Sequence, residues 1–237
     1  MAKLVVALDF PNTDLALNLV DKLGSAVDFY KIGLELMMTG NYFTLLSALE
    51  KRQKKIFADL KLYDIPQTVG KAVANLTSYN IELLTIHTAN TEMMLSANEN
   101  KKHLKIIAVT VLTSLNEQNL LEMGFDANIS LPNLVCQKTK LALQCGLDGV
   151  VASALEAKIL RTNFGNNFAI ITPGIRPSNS EDNQKITDQK RVATVELAIK
   201  NGSSHLVVGR PITASANPVL AVENINKIIY ETPTIAG

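Results

Sequence analysis

Two rhythms of apolar and polar positions alternate along the chain. Short apolar runs, rich in Val and Ile, recur at 4–8, 27–32, 55–60, 83–87, 104–111, 149–152, 168–172 and 206–208. Each has the length of a strand, and unbroken apolar runs belong to a parallel sheet covered by helices. Between them apolar residues recur at helical spacing. Leu15, Leu19, Val20 and Leu23 form one such face, Leu45, Leu46 and Leu49 a second, and Val192, Val195, Leu197 and Ile199 a third. Eight strand–helix units in 237 residues predict an α/β fold, a (β/α)8 TIM barrel. A doubly wound open sheet is the alternative, but eight units would make it unusually wide. No proline- or glycine-rich linker divides the chain, so residues 1–237 are read as a single domain.

One segment breaks the rhythm. Residues 173–185, from Pro173-Gly174-Ile175-Arg176 to Gln184-Lys185, are polar and turn-rich and follow the seventh strand. Long loops on a compact scaffold serve as lids or binding loops. A disordered insertion is the alternative. Arg176 and Gln184 add phosphate-binding chemistry and favour the lid.

Composition narrows the class of protein. The formal net charge is +1 and acids and bases are dispersed, which argues against a nucleic-acid or anionic-membrane surface. No apolar run approaches the ~20 residues of a transmembrane helix. The run after Met1-Ala2-Lys3 is too short for a signal-peptide core, so a cytoplasmic protein is expected. Cys136 and Cys145 are too few for a disulfide framework or a zinc site and are expected as buried, reduced thiols.

Candidate chemistry lies where the strands run out, because active sites of such barrels occupy the C-terminal strand ends. These ends carry Asp9, Lys31, Asp59 with Lys61, His87, Thr113 with Ser114, Arg176, and Gly209-Arg210. Each has a plainer reading. Asp9 would cap the following helix, and Thr113 or Ser114 a helix beginning at Leu115. Lys31 would be a surface lysine and His87 a hydrogen-bonded structural histidine. Together they place alternating charges around one mouth. The densest stretch is Asp59-Leu60-Lys61-Leu62-Tyr63-Asp64. Alternate strand residues share a face, so Asp59 and Lys61 point the same way, and Asp64 lies beyond, at the turn into Ile65-Pro66. Opposed charges at that density shift one another's pKa values and serve chemistry more readily than packing. Gly209 would admit a phosphate to the backbone at the eighth strand end, aided by a helix N-terminus, and Arg210 would clamp it.

These segments resemble the orotidine 5′-phosphate decarboxylase family over essentially the whole chain. The likeness rests on Leu4-Val5-Val6-Ala7-Leu8-Asp9, Tyr30-Lys31-Ile32-Gly33, and the Asp-x-Lys-x-x-Asp run with its following Ile65-Pro66. It continues through Val109-Thr110-Val111-Leu112-Thr113-Ser114, Thr172-Pro173-Gly174-Ile175-Arg176 and Val208-Gly209-Arg210-Pro211. The resemblance implies decarboxylation of orotidine 5′-phosphate to UMP with no metal or organic cofactor. It implies a catalytic array of Lys31, Asp59, Lys61 and Asp64, with Lys61 as the proton donor. Asp9 and Lys31 would contact the ribose, with Asp64 and Thr68 arriving from the partner of a homodimer with shared active sites. Ser114, with Thr113 beside it, would contact the pyrimidine. Gln184, the Gly209 backbone and Arg210 would hold the phosphate, and Arg176 begins the closing loop. Neither a nucleic acid nor a membrane is an expected partner.

Two rivals remain at this point. Metal-dependent sugar-phosphate decarboxylases and synthases share the Asp-x-Lys-x-x-Asp run, but they place an acidic metal ligand near the end of strand two, where this chain has Lys31. A cation there repels Mg2+. A non-catalytic nucleotide-binding barrel would not need so much opposed charge.

Overall fold

The computed structural model describes residues 1–177 and 191–233. The chain runs β1 (Lys3–Ala7), α1 (Thr13–Leu23), β2 (Phe29–Gly33), α2 (Leu34–Met37), α3 (Tyr42–Lys51), β3 (Lys55–Leu62), α4 (Pro66–Leu76) and β4 (Ile81–His87). It continues with α5 (Thr91–Glu99), β5 (Lys105–Val109), α6 (Glu117–Glu122), α7 (Leu131–Gln144), β6 (Gly149–Val151), α8 (Ala154–Phe164) and β7 (Ala169–Thr172). The short strands β8 (Ile175–Arg176) and β9 (Ala193–Thr194) follow, then α9 (Val195–Lys200), β10 (His205–Val208), α10 (Arg210–Thr213) and α11 (Pro218–Glu231).

Eight of these strands close a parallel barrel in the order β1-β10-β7-β6-β5-β4-β3-β2. The expected (β/α)8 architecture is therefore observed. Strand alternation divides the core into two layers. Val5, Phe29, Phe57, Leu83, Ile107, Ile171 and Val207 point inward and fill the barrel. Their neighbours, among them Val6, Tyr30, Ile56, Leu84, Ile106, Ile170 and Leu206, point outward and pack beneath the helices. The inner packing is tight where β6 meets β7: a Cβ at Gly149 would lie 2.3 Å from the Ala169 carbonyl oxygen.

Several sequence expectations shift. Leu15 is exposed; the buried stripe of α1 is Ala16, Leu19, Val20 and Leu23. Val192 precedes α9 and is exposed, as is Leu197, because the inward stripe is Val195, Ala198 and Ile199. In both helices an alanine completes the i, i+3, i+4 face that larger residues suggested elsewhere. The second strand begins at Phe29, since Gly24–Ala26 forms a 3-10 turn ahead of it. The third strand runs two residues further than its apolar run, because Leu62 still pairs with Ile86 of β4 beyond the irregular stretch that holds Lys61. The fifth ends at Val109, where Thr110 turns its hydroxyl onto the Val151 carbonyl at 2.8 Å. Cys145 is buried, Cys136 is only partly so, and both are free thiols. Among the described residues no helix is long and apolar enough to cross a membrane.

The segment read as a lid lies mostly outside the described residues, and so does Gln184. Its described roots are joined: β8 and β9 pair in parallel, Ile175 with Ala193 and Arg176 with Thr194.

Candidate active site

A cavity of about 300 Å3 opens at the C-terminal ends of the barrel strands. Its floor is the top of the inner apolar layer, Ala7, Phe57, Ile171 and Val207, joined by Val109, Val111 and Val151. Asp9, Lys31, Asp59 and Lys61 occupy one side of the wall. Thr113, Arg176, Gly209 and Arg210 also line it. Strand ends far apart in sequence thus converge on a pocket with a dry floor and a charged wall.

The charges form a continuous chain of contacts. Lys31 Nζ donates to Asp9 Oδ1 at 2.9 Å and stands 3.6 Å from Asp59 Oδ2. Lys61 Nζ donates to the same Asp59 oxygen at 2.8 Å. Asp9 does not cap α1; that role falls to Asn12, whose side chain accepts from the Leu15 amide at 2.9 Å. Nor do Thr113 or Ser114 cap a helix, because α6 starts later and carries its own box of Asn116 and Asn119. Burial opposes the charge on Lys31, but the Asp59 and Asp9 carboxylates outweigh it and hold the ammonium above the ordinary lysine value. Burial likewise works against the Asp59 carboxylate. Lys31 and Lys61, with hydrogen bonds from Lys61 and Thr85, nonetheless keep it below the usual carboxylate range. Lys31 and Asp59 therefore both stay charged in a site that shields them from water.

The local backbone around Lys61 is irregular. The β3–β4 register passes from Ala58 opposite Leu84 to Leu62 opposite Ile86, so β3 advances four residues against two on β4. Lys61 sits in this bulge with φ +47°, in the left-handed region. For a residue with a Cβ that conformation costs roughly 1–2 kcal/mol. Its amide donates to Thr85 Oγ1 at 2.9 Å, and the same hydroxyl donates to Asp59 Oδ1 at 3.0 Å. Thr85 is fully buried. The sequence reading missed it, although it stands between Leu83 and His87 on the inward-facing alternation of the fourth strand.

A second missed group braces the wall that carries Thr113. Arg191 pairs with Glu156, which is buried and also accepts from the Ser153 amide at 2.8 Å. Arg191 Nη2 donates to the carbonyls of Val111 at 3.3 Å and Leu112 at 3.0 Å. The return of the chain into β9 is thereby tied to the segment that carries Thr113.

Four sequence candidates stand apart from the cavity. Asp64 is exposed, and its Oδ1 accepts from the Ile65 amide at 2.7 Å. Thr68, on the first turn of α4, is exposed, as is Ser114, next to the lining Thr113. His87 packs edge-on against Tyr63 at 5.9 Å between ring centroids. Burial, then the ammonium groups of Lys61 and Lys138, hold His87 below the ordinary histidine value.

A closed parallel barrel with convergent acid, base and arginine groups at its C-terminal mouth is the architecture of a (β/α)8-barrel enzyme. Comparison with known proteins narrows this further. The model of the orotidine 5′-phosphate decarboxylase / HUMPS family matches residues 2–225, and the chain belongs to that family. Orotidine 5′-phosphate decarboxylase of Methylococcus capsulatus is 44% identical over 216 residues, covering 91% of this chain and 87% of its own. That of Nitrobacter winogradskyi is 44% identical over 225 residues, covering 94% and 90%. The crystal structure of orotidine 5′-phosphate decarboxylase from Lactobacillus acidophilus superposes with a TM-score of 0.83 at 33% identity, covering 96% of this chain and 99% of that one.

Proposed function

We propose that this chain decarboxylates orotidine 5′-phosphate to UMP and CO2 in pyrimidine biosynthesis, with the charged wall of the cavity as its catalytic array. The observation that carries the reading is the contact of Lys61 Nζ with Asp59 at 2.8 Å, inside a cavity that Arg176 and Arg210 also line. Loss of CO2 leaves an electron pair at C6 of the pyrimidine that no adjacent carbonyl delocalises. A fixed ammonium at that carbon is the available stabiliser, and Lys61 supplies it together with the proton that replaces CO2. Asp59 lies beside the departing carboxylate and keeps Lys61 in place. Asp9 and Lys31 take the ribose hydroxyls, and Thr113, which lines the cavity, faces the pyrimidine; Ser114 beside it would have to turn inward to join that contact. Arg210, the Gly209 backbone, Arg176 and Gln184 hold the phosphate, whose remote binding energy assembles the array.

The catalytic unit in this reading is a cytoplasmic homodimer of single-domain barrels, in which Asp64 and Thr68 serve the partner's cavity. Their exposure outside their own chain's cavity supports this. So do exposed Leu34 and Met38, which follow β2, and Tyr63 and Ile65, which follow β3 beside Asp64; a partner would cover them. The metal-dependent reading is disfavoured by Lys31, whose ammonium lies between Asp9 and Asp59 where a divalent cation would have to compete with it.

The direct test is UMP formation from orotidine 5′-phosphate in the presence of EDTA. Full activity is expected; activity that needs an added divalent metal overturns the cofactor-free mechanism. The shared site is tested by mixing Lys61→Ala and Asp64→Ala chains, each inactive alone. One mouth of the heterodimer then draws both groups from intact copies, and activity should return to about half of the wild-type level per heterodimer. Subunit exchange without recovery refutes the shared site.

A further inference from the structure

The Asp59–Lys61 pair depends on a backbone conformation that its own sequence does not favour. Lys61 is neither glycine nor asparagine, yet it holds φ +47° inside a bulge of a barrel strand. In that bulge its amide leaves the β3–β4 ladder and requires another acceptor. The acceptor is Thr85 Oγ1, at 2.9 Å. A threonine hydroxyl has one proton to donate. With the Lys61 amide approaching its lone pair, that proton goes to Asp59 Oδ1, at 3.0 Å. One buried hydroxyl therefore fixes the main chain of the lysine and the carboxylate that holds the lysine's ammonium. The β-branched side chain, stiff at χ1 on a strand, gives the hydroxyl little freedom to turn away.

We propose that Thr85 is a positioning residue for the decarboxylation: its hydroxyl holds the Lys61 kink and the Asp59 carboxylate plane together, which places the Lys61 ammonium at the reacting carbon. The proposal rests on the reading of Lys61 as proton donor. Thr85 touches no substrate, and a misplacement of about 1 Å in such a group costs on the order of 10²-fold in rate.

Two substitutions separate this role from simple packing. Thr85→Val keeps the shape and removes the hydroxyl; Thr85→Ser keeps the hydroxyl and removes a methyl. Positioning predicts that Thr85→Val lowers kcat by roughly 10- to 100-fold, with KM for orotidine 5′-phosphate and affinity for UMP within about threefold of wild type. Thr85→Ser should then recover most of kcat although its cavity is larger. Packing alone predicts the opposite order, with the serine variant the more impaired. A valine variant with wild-type kcat overturns the inference while leaving the assigned reaction standing; a wild-type protein that forms no UMP overturns the assigned reaction instead. A crystal structure of the valine variant decides the geometry independently of activity. Lys61 leaving the left-handed region, or Asp59 rotating off Lys61, is expected; both unmoved refutes the proposal.

Discussion

The barrel carries a cluster of charges at each mouth, and the two differ in almost every physical respect. At the C-terminal mouth Asp9, Lys31, Asp59 and Lys61 meet at 2.8–3.6 Å, with Lys31 and Asp59 each only 12% exposed. At the N-terminal mouth Lys3, Lys55 and Lys105 surround one carboxylate, Glu82, at 3.8–3.9 Å, with each lysine about half exposed. Both clusters lie beside irregularities of the β3–β4 ladder. At the lower one the register passes from Ile56 opposite Ile81 to Phe57 opposite Leu83, which leaves Glu82 as the unpaired residue. The difference lies in solvent and hydrogen bonding. Water screens the lower cluster, so its attraction is worth little. At the centre of the upper cluster Lys31 and Asp59 are desolvated, and the Thr85 hydroxyl satisfies the carboxylate oxygen that Lys61 does not reach. Similar residue types therefore make a loose surface network at one end and a preorganised site at the other.

Substitution at each mouth can break this contrast. The largest effect is expected from Lys61→Ala. In the proposed mechanism it removes both the charge at C6 and the proton donor, and turnover should fall by roughly 10⁴-fold or more. Affinity for UMP should remain largely intact, because the phosphate contacts stay in place. Single-turnover kinetics and UMP titration measure the two separately. Near-normal turnover would make the upper cluster as dispensable as the lower.

The next effect concerns His205, at the lower mouth. Burial, with Lys3, Lys105 and Lys55 nearby, lowers its pKa from 6.5 to about 4. The folded protein thus holds a neutral imidazole that the unfolded chain protonates more readily. Stability from this group is complete above about pH 6.5 and is lost as pH falls toward about 4, up to roughly 3 kcal/mol. Denaturant melts of the wild type and His205→Gln between pH 4 and 7 should show a shallower slope in the variant. Parallel curves would place the imidazole in a more solvated setting.

The smallest effect belongs to Glu82→Gln. It removes the carboxylate that Lys3, Lys55 and Lys105 share, yet screening should keep the loss of stability within about 1 kcal/mol, with activity unchanged. Urea denaturation at low and high salt checks this, and the difference should shrink as salt rises. A loss of several kcal/mol would mean that the lower cluster is as desolvated as the upper.

Much of this protein was readable from the sequence because the relevant signals are local. Apolar runs at strand length, separated by helical stripes, determined the barrel, and period-two alternation placed Asp59 and Lys61 on one face. Asp9, Lys31, Asp59, Lys61, Thr113, Arg176, Gly209 and Arg210 were identifiable as strand-end groups, and all of them line the cavity. Tertiary structure alone decided the rest. Nothing in the Lys61 neighbourhood announces a left-handed residue, since its partner Thr85 is 24 positions away. Arg191 reaches carbonyls 79 and 80 positions away. Asp64 and Ser114 belong to the same motifs as cavity residues, but turns after β3 and β5 carry them outside. Hydrophobic periodicity repeats every two or four residues and survives in any short window. A bulge, a turned-out carboxylate or an amide that needs a distant hydroxyl arises only when the strands close into a ring and each buried polar group must find its partner.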